Sequence, residues 1–198
     1  MVGNTDISKI RKTNYPADRI FIDRWSPRAM SGELMTKDEL MTLFEAARWA
    51  PSEFNTQPWH FVYAMKGTDH FKSLFDLLAE FNQQWCKNAS ALIVIISRKT
   101  FEHNNKTSRT YSFNTGAAWQ NLSLQGSMNG LVVHGMSGLN YDIAAEVLGI
   151  PDDYAVEAMC AVGKPGSIEE LSQEMAAREK PSGRKAVSEF VFEGRFGG

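Results

Sequence analysis

The chain has 198 residues, of which 43% are hydrophobic and 11% aromatic, and its formal net charge is -2. This length predicts a single domain, residues 1–198, with enough apolar material for a core. The small net charge and the dispersed basic residues argue against a nucleic-acid partner, and no apolar run approaches the ~20 residues that a membrane span needs.

The first third of the chain predicts an irregular start, a helix and a strand. Residues 1–23 have an irregular or weakly helical pattern. Thr36 and Glu39 have the spacing of a capping box, and apolar residues then recur at helical spacing until Pro51 ends the helix. Residues 61–65 have the composition of a strand.

The middle of the chain predicts two helices separated by a buried strand. Residues 71–81 have the pattern of an amphipathic helix. Residues 91–96 form a continuous apolar run, which indicates a strand that is buried on both faces. A polar loop over residues 98–110 leads into a third helix over residues 112–128, and residues 131–134 are predicted to form a short strand.

The last third predicts a helix over residues 141–148, a strand over residues 156–162 and a final helix over residues 168–178. The alternation of helices and strands favours an α/β or α+β architecture. Residues 179–198 are rich in glycine and cannot build a core, yet they carry several aromatic side chains. We therefore expect this segment to be a C-terminal arm that lies on another subunit.

Common catalytic motifs are absent from the sequence. It contains neither of the standard glycine-rich nucleotide-binding motifs and no nucleophile elbow. The four histidines lack metal-ligand spacing and are interpreted as structural or surface residues. Cys86 and Cys160 have neither metal-ligand nor disulfide-framework spacing, and residues 1–12 lack an apolar signal core. Together these features predict a cytoplasmic protein with free thiols.

Two segments are unusual. In the segment Arg24-Trp25-Ser26-Pro27-Arg28, two guanidinium groups and a hydroxyl could present several donors to one anion. The alternative is a pair of solvated arginines on the surface. The second segment, residues 50–59, combines two prolines with Ser, Asn, Gln and Trp, and it could offer polar contacts to the edge of a heterocycle. Its alternative is a turn that places a tryptophan in the core.

Together the two segments resemble the nitroreductase family of FMN enzymes. The family pattern pairs an Arg-x-Ser-x-Lys/Arg segment with a helix that ends in a sequence similar to Ala-Pro-Ser-x-x-Asn-x-Gln-Pro-Trp, and both occur here in that order. The resemblance implies an α+β fold with a central, mostly antiparallel sheet flanked by helices. It also implies a homodimer in which the C-terminal arm is exchanged and the interface forms two FMN sites.

The resemblance further implies roles for individual residues. Arg24, Ser26 and Arg184 would hold the phosphate and ribityl region of FMN. Arg28 would lie at the pyrimidine edge of the isoalloxazine, and Asn82 would hydrogen-bond the ring edge.

A loop and a strand end complete the implied site. Pro51, Ser52, Glu53 and Asn55 would reach the flavin of the partner subunit, whereas Ser137-Gly138 would present a backbone N–H to flavin N5. The other residues expected to bind the cofactor are Trp25, Gln57, Gly135 and Met136.

Three positions depart from the family pattern. Trp85 stands where many relatives have a lysine near the flavin, and Ser137-Gly138 stands where many have Glu-Gly. Ser182 stands where some relatives have a second basic residue near the C-terminal arginine. The first departure puts the redox potential in question, but not the binding of FMN.

The resemblance implies that NADH or NADPH passes hydride to flavin N5, and that an electron-poor acceptor such as a nitroaromatic or a quinone then takes its place. Such a ping-pong cycle needs no protein nucleophile. Three alternatives are a non-enzymatic FMN-binding or redox-sensing protein, a specialised enzyme of the same fold, and an interaction domain without a cofactor.

Overall fold

The computed structural model describes residues 7–197 and has the predicted α+β architecture. The first six residues of the predicted irregular start lie outside the described residues. A four-stranded sheet has the order β1-β2-β4-β3, and each pair of neighbouring strands is antiparallel. The strands are β1 (Trp59–Met65), β2 (Ala91–Arg98), β3 (Val132–Met136) and β4 (Tyr154–Gly163).

Eight α-helices in the described residues flank or connect these strands. They are α1 (Ile7–Ile10), α2 (Arg19–Asp23), α3 (Lys37–Arg48), α4 (Asp69–Asp76), α5 (Glu80–Cys86), α6 (Tyr111–Met128), α7 (Tyr141–Val147) and α8 (Gln173–Arg178). The capping box of α3 is confirmed, because Thr36 Oγ1 accepts from the Glu39 N–H at 3.2 Å and a Glu39 carboxylate oxygen accepts from the Thr36 N–H at 2.6 Å. In the residues that the structure describes, no helix has the length and apolarity to cross a membrane.

The continuous helix predicted over residues 71–81 is wrong, because the chain breaks it between α4 and α5. The intervening backbone bonds to a distant segment instead: the Ala79 N–H donates to the Gly138 carbonyl at 2.9 Å, and the Asn140 N–H donates to the Leu77 carbonyl at 3.0 Å. These contacts occupy backbone groups that a continuous helix would use itself. The local apolar periodicity could not reveal this competition.

The helix predicted over residues 168–178 is also shorter than expected. Ile168–Glu170 forms a 3-10 turn, and α8 begins only after Ser172. Ser172 has extended backbone angles, and its side chain accepts a hydrogen bond from the Met175 N–H at 3.4 Å. A serine in this conformation caps a helix and therefore marks its start.

Strand β2 explains how the two layers of helices meet the sheet. Its residues Ala91 to Ser97 are buried, as the apolar run predicted. Leu92 and Val94 pack with α4, α5 and α7 on one face, whereas Ala91 and Ile93 pack with α3 and α6 on the other. The resulting core fixes the relative positions of the end of β3 and the start of α6, and the cleft described below lies between these two elements.

Candidate functional site

A cleft of about 500 Å³ lies between α6, the end of β3 and the segment that follows α2. Arg24 and Ser26 line it from that segment, and Gly135, Met136 and Ser137 line it from β3 and the residue after it. Its volume lies within the range of about 300–1,000 Å³ that is typical of ligand pockets. The fold therefore brings five of the predicted cofactor-binding residues into one cavity, although they come from two distant parts of the sequence.

Three guanidinium groups, those of Arg24, Arg184 and Arg11, interact electrostatically. Arg24 lines this cleft, whereas Arg11 and Arg184 line a separate cavity. Burial, followed by the charge of Arg184, lowers the pKa of Arg24. Burial also lowers the pKa of Arg11, as do the charges of Arg184 and Arg24, whereas Asp23 raises it. Among the described residues, none of the three arginines has an ion-pair partner, and Asp23 is itself paired with Arg19 at 2.7 Å.

This cluster fits an anionic phosphate. Arg24 donates from Nη1 to Ser26 Oγ at 3.2 Å, so a guanidinium and a hydroxyl lie side by side at the cleft. Mutually repelling guanidinium groups bind a dianion favourably, because the anion removes the repulsion and accepts charge-assisted hydrogen bonds. The alternative of two solvated arginines does not describe Arg24, which is half-buried.

Arg28 has a different environment from Arg24. Its Nη1 lies 3.7 Å from Oε2 of Glu179, whose side chain is only 2% exposed. The other oxygen of this carboxylate accepts from the backbone N–H groups of Arg28 and Ala29, at 2.6 and 2.8 Å. Glu179 therefore anchors the start of the C-terminal segment to the Arg24–Arg28 segment and partly neutralises the charge of Arg28.

His134 on β3 supports the same segment from the other side. Its Nδ1 donates to the Pro27 carbonyl at 2.8 Å, and its ring lies 4.6 Å from the ring of Trp85, centroid to centroid. Burial lowers the pKa of His134 to about 4, and the charges of Arg28 and Arg24 add to this effect. The imidazole is therefore neutral at physiological pH and acts as a hydrogen-bond donor.

Trp85 is buried, with 2% of its surface exposed. Its indole Nε1 is buried as well, and within the described part of the chain it has no hydrogen-bond partner. The position that holds a lysine in many relatives is thus filled by an apolar ring packed against His134. This leaves Arg28 as the cation that the resemblance assigns to the ring.

The predicted loop after α3 is strained. Phe54, Asn55 and Gln57 all have positive φ angles, of 50°, 56° and 46°. Such conformations cost about 1–3 kcal/mol each for residues other than glycine and are concentrated at functional sites. Ser52 Oγ supports the loop by accepting from the Gln57 N–H at 3.0 Å.

Glu53 ties this loop to the start of α6, since its Oε2 accepts from Thr110 Oγ1 at 2.6 Å. In the part of the chain that the structure describes, Pro51, Ser52, Glu53, Asn55 and Gln57 do not line the cleft that contains Arg24. Three of these residues, Pro51, Asn55 and Gln57, are exposed at the surface of the single chain.

Asn82 and Gly138 lie together, as the resemblance requires of the two segments near the flavin ring. Asn82 Nδ2 donates to the Gly138 carbonyl at 3.0 Å. A Cβ at Gly138 would lie 2.7 Å from the same nitrogen, and a Cβ at Gly135 would lie 2.9 Å from Trp119 Cζ2. A side chain at position 138 or 135 would therefore require the Asn82 amide or the Trp119 ring, respectively, to shift.

The model of the nitroreductase family matches residues 22–164. The chain belongs to this family. Among curated proteins, this nitroreductase-family chain is similar to an oxygen-insensitive NADPH nitroreductase of Helicobacter pylori strain J99, with 44% identity over 64 residues. The aligned region is 32% of this chain and 30% of that protein. It therefore aligns with less than a third of the length of this relative. It is also 30% identical over 128 residues to an uncharacterised 15.4 kDa protein of Mycolicibacterium smegmatis, which covers 64% of this chain and 84% of that one.

Solved nitroreductase-like structures superpose over nearly the whole chain. One, described as an oxidoreductase containing FMN, has a TM-score of 0.91 and 45% identity, and the match covers 95% of this chain and 96% of that chain. A second, from Desulfovibrio desulfuricans in complex with FMN, has a TM-score of 0.70 and 22% identity, with 93% and 99% covered. The predicted family and α+β fold are thereby confirmed.

The sequence analysis did not identify the cleft residues on α6 and β4, such as Trp119 and Glu157. It also missed Arg11 and Glu179, which bond to the Arg24–Arg28 segment. Arg11 precedes the matched family region, and Glu179 follows it. A basic residue in an irregular start and an acidic residue near the end of a helix are both common surface features, so neither had a distinguishing signal. Five other predicted site residues are not among those that line the cleft in the described structure, namely Trp25, Arg28, Asn82, Gly138 and Arg184.

Proposed function

We propose that this chain is an FMN-dependent oxidoreductase that takes electrons from NADH or NADPH and passes them to an electron-poor small molecule, such as a nitroaromatic or a quinone. The observation that carries the proposal is the cleft lined by Arg24 and Ser26, with the positive charge of Arg184 acting on Arg24. The relative that contains FMN and shares 45% identity over most of both chains supports it. The name of the Helicobacter relative supports NADPH as a donor.

Arg24, Ser26 and Arg184 would hold the phosphate of FMN. The two guanidinium groups supply charge, and the Ser26 hydroxyl adds a neutral donor beside Arg24. When bound, FMN would supply the redox chemistry by accepting hydride from NADH or NADPH and delivering it to the acceptor in a ping-pong cycle. The protein's part is to bind, orient and shield.

Arg28 and Asn82 would orient the ring. A cation near the flavin favours its reduced, anionic state over the oxidised state. Arg28 would have this role alone, because Trp85 carries no charge at the position where many relatives have a lysine. Glu179 and His134 would keep the Arg28 backbone in place through their hydrogen bonds to neighbouring groups. Ser137 and Gly138 would present backbone groups to the centre of the ring, held there by Asn82.

The site is proposed to be completed in a homodimer. Phe190 and Val191 are more than half exposed in the single chain and Phe196 is 95% exposed, which is costly for apolar side chains in water. A partner subunit would cover them through exchange of the arm over residues 179–198. The strained loop with Pro51, Ser52, Glu53, Asn55 and Gln57 would then contribute to the partner's site.

The purified protein tests this proposal directly. We expect flavin absorbance bands on purification and steady oxidation of NADH or NADPH that depends on an added quinone or nitroaromatic. Double-reciprocal plots at several acceptor concentrations should be parallel, as a ping-pong cycle requires. Bound flavin without turnover would indicate a non-enzymatic flavin protein, and absence of flavin binding would refute the proposal as a whole.

Sedimentation tests the dimer separately. A stable interface of this type buries upward of about 2,000 Å² and should persist at micromolar protein concentration. A monomer that retains FMN at this concentration would contradict the shared site.

A further inference from the structure

Arg11 lies outside the matched family region, yet its side chain reaches both parts of the arginine cluster. Its Nε donates to the Ser182 carbonyl at 2.9 Å, next to Arg184, and its Nη1 donates to the Arg24 carbonyl at 2.7 Å. Nη1 also donates to the Ile22 carbonyl at 2.5 Å. The N-terminal segment thus places a guanidinium between the two segments that carry Arg24 and Arg184.

The partners of Arg11 in these three bonds are neutral carbonyl oxygens. They hold the guanidinium in position but supply no opposite charge. Burial is the main cause of the lowered pKa of Arg11, and the further lowering by the charges of Arg184 and Arg24 agrees with the three cations lying near one another. Nη2 takes no part in the three carbonyl bonds, so it can serve an additional acceptor.

We propose that Arg11 is the third guanidinium of the phosphate-binding site and that it supplies the positive charge absent at Ser182. The inference rests on the proposed function, since the phosphate is that of FMN. The carbonyl bonds to Ser182 and Arg24 position the group, and its charge strengthens the binding of a dianion. The N-terminal segment is thereby part of the cofactor site.

A purely structural role would have a different signature. If Arg11 only tied the N-terminal segment to the fold, its loss would weaken every ligand of the cleft alike. If it contacts the phosphate, its loss weakens FMN and spares riboflavin, which has the same ring and ribityl chain but no phosphate. The ratio of the two affinities therefore separates the alternatives.

The experiment measures dissociation constants of FMN and riboflavin by fluorescence titration of the deflavinated full-length protein. Arg11→Ala should weaken FMN about 10- to 150-fold, as expected for a hydrogen bond to a charged group, and should change riboflavin affinity less than about twofold. Arg11→Lys keeps the charge and should weaken FMN less than Arg11→Ala does. Arg19→Ala is the matched control, because Arg19 is exposed and paired with Asp23. It should leave both constants unchanged.

Several results would overturn the inference. These are an unchanged FMN affinity in Arg11→Ala, equal losses for FMN and riboflavin, or an Arg11→Lys variant as weak as Arg11→Ala. A urea unfolding curve for each variant shows whether it is folded. If Arg11→Ala does not fold, the comparison of Arg11→Lys with the parent protein tests the inference instead. If the parent protein binds neither ligand, the proposed function fails first and this inference falls with it. If the parent binds FMN but Arg11→Ala weakens FMN and riboflavin equally, only the inference about Arg11 fails.

Discussion

His134 gives the protein a predicted sensitivity to mild acid. The buried imidazole has a pKa of about 4 in the folded chain, against 6.5 in the unfolded chain. The folded state therefore takes up the proton at lower pH than the unfolded state does. The stability associated with the neutral imidazole is complete above pH 6.5 and declines as the pH falls toward 4.

The magnitude follows from this difference in pKa. Each pKa unit corresponds to about 1.36 kcal/mol, so the full effect is about 3 kcal/mol, and about 2 kcal/mol of it should be lost by pH 5. The main physical cause is desolvation of the charged form, and the neighbouring Arg28 and Arg24 oppose protonation further. A Pro27 carbonyl that accepts from Nδ1 acts in the opposite sense but does not overcome burial.

Urea denaturation of the deflavinated protein at pH 7 and pH 5 measures the effect. His134→Asn removes the titrating group while its amide can still donate toward Pro27, so it serves as the matched variant. Between the two pH values, the parent should lose about 2 kcal/mol more unfolding free energy than the variant. Protein concentration must be equal in all four experiments because an oligomer's stability depends on it. Equal losses in parent and variant would refute the assignment of a depressed pKa to His134.

Three further predictions concern Arg28, Arg24 and Gly126. Arg28→Gln should lower the midpoint potential of bound FMN by about 20 to 40 mV, because a cation that Glu179 only partly neutralises is lost. A redox titration that shows no shift would mean that Arg28 does not lie beside the flavin ring. Arg24→Ala should weaken FMN about 10- to 150-fold, and equal affinity of the parent for FMN and riboflavin would contradict a phosphate site. Gly126→Ala should lower the free energy of unfolding by about 1–3 kcal/mol, because the added Cβ would lie 2.3 Å from Val133 Cγ2; an unchanged urea midpoint would show that the core yields.

Local sequence patterns were sufficient for much of the architecture. The capping box at Thr36 and the apolar run from Ala91 correctly predicted α3 and β2, because caps and apolar runs depend on residues close in sequence. The segment around Arg24 and the loop from Pro51 pointed to the nitroreductase family, since these motifs combine several residue types at set spacings. The family model then confirmed the resemblance.

Contacts between distant residues decided the rest. The helix is interrupted between α4 and α5 because the backbone of Leu77 and Ala79 pairs with a segment about 60 positions away, and no local pattern records that competition. Arg11 donates to the Ser182 carbonyl, 171 positions away, and Glu179 accepts from the Arg28 backbone N–H, 151 positions away. The sequence by itself determined most of the elements and the family of this protein. Tertiary structure alone decided which charges meet at the cleft, because a long-range ion pair or hydrogen bond depends on the final fold rather than on neighbours in the chain.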